Sequence, residues 1–209
     1  MKSFLLALSA CCALVTPCVA QDTNRTALLL DGLGVYVANS YIGVSALAGP
    51  LKQQGYRPVV DTHMMNRTGS EIPVVIIGHS MGGSAGLAYA RKLVQAGYPA
   101  PLVITIDAAP NPPPCPVARC INIHGPGFPD VAGAQNIDAW KSGANMVNHA
   151  MLATHPAIQQ MVLRYTATLM AQNTQAARAT ETRAAASPPA AEASVPLPPP
   201  APRRSGEGG

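Results

Sequence analysis

Aromatic side chains are scarce in this 209-residue chain, at 4 per cent, which leaves few flat surfaces for gripping a sugar or a large ring. Charge is scarce too, at 11 per cent, and no basic cluster stands out. Residues 21–173 hold nine Lys/Arg against seven Asp/Glu, so the footprint of a nucleic-acid partner is missing. Five cysteines are present, three of them (Cys11, Cys12, Cys18) close to the start. The one long apolar run, Phe4 to Val15, is too short for a permanent membrane span.

That apolar run has the grammar of an export signal. Lys2 precedes it, Thr16-Pro17 breaks it, and the small-residue exit Cys18-Val19-Ala20 fits cleavage after Ala20. Residues 1–20 are therefore read as a signal peptide and the mature protein as periplasmic or extracellular. An alternative is a lipid anchor at Cys11, because Leu8-Ser9-Ala10-Cys11 resembles a bacterial lipobox. After processing, Cys115 and Cys120 remain, an even pair suited to a disulfide in an oxidising compartment. A zinc centre would need further ligands that His124 alone does not supply, so no metal is expected.

Composition divides the rest. Residues 21–173 alternate short apolar runs with helical stretches, while residues 174–209 are rich in Ala and Pro and read as a disordered tail. In the first part, Ala27 to Leu30, Arg57 to Val60, Val74 to Ile77, Leu102 to Ile106, Ala118 to Ile123 and Gln135 to Ile137 read as strands. Ser40 to Gln54, Gly83 to Ala96 and Pro156 to Met170 read as helices, the last with Pro in its first turn. Apolar, non-alternating strands separated by helices predict an α/β fold. Its mostly parallel central sheet has about six strands, helices on both faces and no lid domain.

In such sheets, reactive groups gather beyond the carboxyl ends of the strands. The residues there are Asp31-Gly32-Leu33-Gly34, Asp61, Ser80, Asp107, His124 and Asp138, with His149 in the loop before the last helix. Gly78-His79-Ser80-Met81-Gly82 matches G-x-S-x-G, flanked by a β-branched strand and a helix, which is the setting of a nucleophile elbow. A serine hydroxyl becomes a nucleophile only when a base removes its proton and an acid orients that base. Ser80, Asp107 and His149 stand in the order Ser, Asp, His along the chain.

Gly78-His79-Ser80-Met81-Gly82-Gly83, preceded by Leu28-Leu29-Leu30-Asp31-Gly32-Leu33-Gly34, resembles the small lipase/esterase and thioesterase branch of the α/β-hydrolase superfamily over roughly residues 26–170. The resemblance implies Ser80 as nucleophile and an oxyanion hole formed by the backbone N–H groups of Leu33 and Met81. That family more often has His-Gly where this chain has Asp31-Gly32. The acid is Asp107 by its place after the strand that follows the nucleophile helix, with Asp130 and Asp138 as alternatives. His149 is the base; His155 next to Pro156 belongs to a helix start, and His124 could line the pocket.

Together these features predict an exported serine hydrolase of short or medium carboxylic esters, or of thioesters, working through an acyl-enzyme without metal or organic cofactor. A small-molecule ester or thioester is the expected partner. The alternatives are a non-catalytic, envelope-associated binding protein on the same fold, and an amidase or peptidase with the same triad. Pro110 to Pro114 would form a stiff wall beside the site, held by the Cys115–Cys120 pair.

Overall fold

The computed structural model describes residues 25–33 and 43–186, with side chains through Arg183. The expected signal peptide, the lipobox at Cys11, Gly34, the start of the first helix and the Pro-rich run after residue 186 lie outside these. The described residues up to Met170 form one compact unit, and the described residues from Ala171 onward form a second.

The six strands are β1 (Thr26–Asp31), β2 (Arg57–Thr62), β3 (Val75–His79), β4 (Leu102–Ile106), β5 (Cys120–His124) and β6 (Gln135–Asp138). They lie in the order β2-β1-β3-β4-β5-β6, and every pairing is parallel. Between them run a 3-10 turn (Val44–Leu47), α1 (Ala48–Gln53), α2 (Met81–Gln95), α3 (His149–Leu152) and α4 (Pro156–Ala186). This is the expected α/β architecture, consistent with a minimal α/β-hydrolase fold, and no lid domain occurs among the described residues.

Alternation along the strands sorts their side chains to the two sheet faces. Leu29, Ile77, Ile104 and Ile123 pack with Leu47, Leu51, Ile158 and Val162, so the sheet's first face is covered by the 3-10 turn, α1 and the start of α4. Leu28, Leu30, Ile76 and Val103 pack on the second face with Leu87, Ala90 and Leu93 of α2. Each such Leu or Ile, fully withdrawn from water, contributes roughly 1.5–3 kcal/mol. Burial on both faces is why the strands read as unbroken apolar runs.

The helix ends follow local chemistry. α2 ends at Gln95, and Gly97 two residues on, with a φ of +83°, carries the chain through the left-handed region. The N–H of Gly97 then donates to Val94 O and that of Tyr98 to Leu93 O, closing the exposed carbonyls. Asn148 accepts the N–H of Met151 at 3.1 Å and so starts α3 at His149. His149 therefore opens a short helix, where a loop was expected. α4 runs sixteen residues beyond the expected end at Met170, so residues 174–186, assigned to the tail by composition, are helical. Ala-rich sequence has high helix propensity, and the Pro residues that would break it begin only at Pro188. No helix among the described residues is long and apolar enough to cross a membrane.

Candidate active site

The strand order reverses between β1 and β3, and the crevice at such a point, outside the carboxyl ends, is where parallel sheets place their ligands. Ser80 stands there, between β3 and α2, with φ 56° and ψ −125°. A non-glycine residue in that region is strained and persists only where its surroundings enforce it. The enforcement is visible. The Ser80 N–H donates to Ile106 O at 2.9 Å, and Ser80 O accepts the N–H groups of Gly83 and Ala109 at 2.9 and 3.2 Å. The glycines around it are sterically required. A Cβ on Gly78 would lie 2.3 Å from Gly82 O, and one on Gly82 would lie 2.0 Å from Leu30 O.

Ser80 Oγ lies 3.0 Å from His149 Nε2, and His149 Nδ1 lies 2.9 Å from Asp107 Oδ2. Asp107 follows β4, is 1 per cent exposed, and accepts the N–H of Gly125 on its other oxygen, Oδ1, at 2.7 Å. A buried carboxylate with both oxygens occupied has one orientation, and the donating Nδ1–H leaves Nε2 free to accept a proton from the serine. The three residues expected to act together are thus hydrogen-bonded in line.

The alternative acids are elsewhere. Asp130 is paired with His124, Oδ1 to Nε2 at 3.1 Å. Asp138 accepts the N–H groups of Trp140 and Lys141 at 2.9 and 3.1 Å, capping a turn, and these bonds with Lys141 hold its carboxyl below the usual range. His155 accepts the N–H of Ala157 at the start of α4, as expected.

His79 has a distinct place. Its Nε2 lies 3.0 Å from the carbonyl oxygen of His149, which assigns the proton to Nε2, and its ring centroid is 4.7 Å from that of His149. Burial drives its pKa down to about 4, so the ring is neutral near pH 7. His79, Asp107 and His149 bring possible ligand atoms within 4.8 Å of one another, the one such group among the described residues. The hydrogen bonds already made by Asp107 and His149 occupy both carboxylate oxygens and both imidazole nitrogens, so the donor set is arranged for proton transfer.

On the first loop, Gly32 lies against Ser80: a Cβ there would be 2.8 Å from Ser80 Cβ. Leu33 follows, 59 per cent exposed. Met81 is the first residue of α2, where backbone N–H groups lack intrahelical partners. Asp31 turns inward and is buried. Burial raises its pKa, and Oδ1 accepts the Ser45 N–H at 3.3 Å, fastening the start of the 3-10 turn. Cys115 and Cys120 are joined by a disulfide, with Cα atoms 6.5 Å apart. Ser84 Oγ donates to Ala109 O, and an Arg91 guanidinium N–H donates to Pro114 O, both at 3.1 Å, so the Pro-rich stretch is tied to α2 as well.

Three contributors escape a reading of the sequence. Gly125 and Asn148 act through backbone and cap, for which residue type gives little sign. Phe128 stacks on His149, centroids 4.4 Å apart and planes within 14°. Its only signal is its position soon after the end of a strand.

No family model matches the chain, and no curated protein matches it. Among solved structures, the chain is similar to the crystal structure of human thioesterase 2, with a TM-score of 0.44 and 12 per cent identity over 70 per cent of this chain and 96 per cent of that one. A likeness this loose bears on neither activity nor substrate.

Proposed function

We propose that the protein is a serine hydrolase of carboxylic esters or thioesters, exported from the cytoplasm. The observation that carries this reading is the hydrogen-bonded line from Ser80 Oγ through the His149 imidazole to the buried Asp107 carboxylate.

In this reading Ser80 Oγ attacks the acyl carbonyl carbon while His149 Nε2 takes the hydroxyl proton. Asp107 stabilises the imidazolium so formed, and the carbonyl oxygen, now carrying negative charge, lies against the N–H groups of Met81 and Leu33. Collapse of the tetrahedral adduct breaks the bond to the alcohol or thiol, which leaves with the proton from His149. Water then enters by the same route in reverse, releasing the carboxylic acid and restoring Ser80. No group beyond this chain and water takes part.

His149 is 35 per cent exposed and Leu33 is exposed beside the nucleophile, which favours short or medium acyl groups over long chains that need an enclosed tunnel. The disulfide is in keeping with an oxidising compartment and with the signal-like N-terminus.

Fluorophosphonate labelling of the wild type against Ser80→Ala, with p-nitrophenyl esters of graded acyl length alongside, tests the proposal. Labelling confined to the wild type, with turnover falling as the acyl chain lengthens, is expected. A folded wild type that takes up no probe overturns the hydrolase reading and favours a binding protein on the same fold.

A further inference from the structure

The loop that follows β5, Gly125-Pro126-Gly127-Phe128-Pro129, touches two of the three aligned residues at once. Its first N–H is held by Asp107 Oδ1, and its Phe128 ring lies nearly parallel to the His149 imidazole. The loop itself is fixed. The N–H of Phe128 donates to Gly125 O at 3.3 Å, and Gly127 takes a φ of +86° that only glycine adopts without strain. Asn122 Nδ2 donates to Pro129 O at 3.2 Å, and His124 Nε2, 3.1 Å from Asp130 Oδ1, joins its two ends. A half-buried aromatic ring on so constrained a segment has a defined plane.

We propose that Phe128 is a positioning residue for His149: its ring sets the plane of the imidazole, keeps water from one of its faces and faces the positive charge that forms on it during the reaction. This rests on the reading of the site as that of a serine hydrolase. A flat face against the imidazole blocks rotation about the Cβ–Cγ bond, which would break the bonds to Ser80 and Asp107 together. When His149 accepts the serine proton, its positive charge appears 4.4 Å from the centre of a π-face, within the range at which that face attracts a cation. The same contact is nearly neutral before the proton moves, so its benefit falls on the transition state.

Phe128→Leu keeps an apolar side chain and removes the flat face, while Phe128→Tyr keeps the face. In Phe128→Leu, kcat and the fluorophosphonate labelling rate should fall roughly tenfold with KM unchanged, and Phe128→Tyr should restore both to within about twofold of wild type. The downfield proton resonance of His149 Nδ1–H should broaden in Phe128→Leu through exchange with water and remain sharp in Phe128→Tyr. Phe128→Leu reacting at the wild-type rate, or Phe128→Tyr as slow as Phe128→Leu, overturns the proposal. Should the wild type take up no probe, the hydrolase reading falls and the Nδ1–H resonance decides the clamp alone: broadening in Phe128→Leu supports it, and an unchanged line overturns it.

Discussion

His149 Nδ1 donates to Asp107 Oδ2 across 2.9 Å, and Asp107 is the carboxylate in contact with that imidazole. Replacing it should leave the ring free to take the wrong tautomer. Asp107→Asn is expected to lower kcat/KM on the order of 10³–10⁴-fold. Asp130→Asn and Asp138→Asn, whose carboxylates pair with His124 and cap a turn, should each stay within about threefold of wild type. A p-nitrophenyl ester assay on the three variants checks this; comparable losses in Asp107→Asn and Asp130→Asn would remove Asp107 from the role.

The elbow glycines separate fold from function. A Cβ on Gly82 would meet the Leu30 carbonyl at 2.0 Å, backbone against backbone, with no side chain able to swing away. Gly82→Ala should therefore cost about 3 kcal/mol or more of stability. At Gly32 the nearest atom is Ser80 Cβ at 2.8 Å, so the strain falls on Ser80. Gly32→Ala should lower kcat on the order of 10²-fold while remaining folded. Denaturation midpoints measured with turnover resolve the two; a folded, fully active Gly32→Ala would show that the first loop does not fix Ser80.

His79 gives stability a pH dependence of definite sign. Its folded pKa of about 4 lies below the 6.5 of an exposed His, so between those values the unfolded chain binds more protons than the folded one. Stability from this group is complete above about pH 6.5, declines as pH falls and is lost by about pH 4; a shift of this size corresponds to about 3 kcal/mol. Asp61 and Glu71, whose pKa values are lowered, act at more acid pH, and Asp31, whose pKa is raised, works in the opposite direction. His79→Gln removes the titration while leaving a side-chain donor. Urea unfolding at pH 5 and pH 7.5 should show a larger loss at pH 5 for the wild type than for His79→Gln. Equal losses would mean that His79 carries its charge in the folded state.

Sheet and elbow were legible because each rests on a local pattern. β-branched runs buried on both faces give the strands, and Gly-x-Ser-x-Gly between a strand and a helix gives the turn; Leu102–Ile106 falls where the apolar run places it. Chain order and strand ends single out Ser80, Asp107 and His149, since the sheet carries every strand's carboxyl end to one edge. What composition hid was tertiary or cooperative. The ring contact of Phe128 with His149 joins residues from separate loops, and no periodicity encodes it. The helix past Met170 follows from Ala-rich propensity that the nearby prolines obscured. Asp31 ends β1, beside the strand that leads to Ser80, yet its carboxylate is spent on Ser45.

The disulfide closes a span of only five residues, and this limits what its loss can do. Tethering so short a loop removes little freedom from the unfolded chain, about 2 kcal/mol by chain entropy. The Pro-rich stretch it borders is separately bonded to Ser84 and Arg91 of α2, contacts that survive reduction. The Cys115→Ser, Cys120→Ser double variant should accordingly lose up to about 2 kcal/mol of stability and keep kcat toward a short ester within about threefold. Removing Arg91 as well should lower kcat further, because the Pro-rich stretch beyond Asp107 then loses its tie at Pro114 and keeps the one at Ser84. Denaturation curves and turnover of the double and triple variants test the argument. A double variant already inactive while folded would make the disulfide, rather than the bonds from α2, the element that holds this wall.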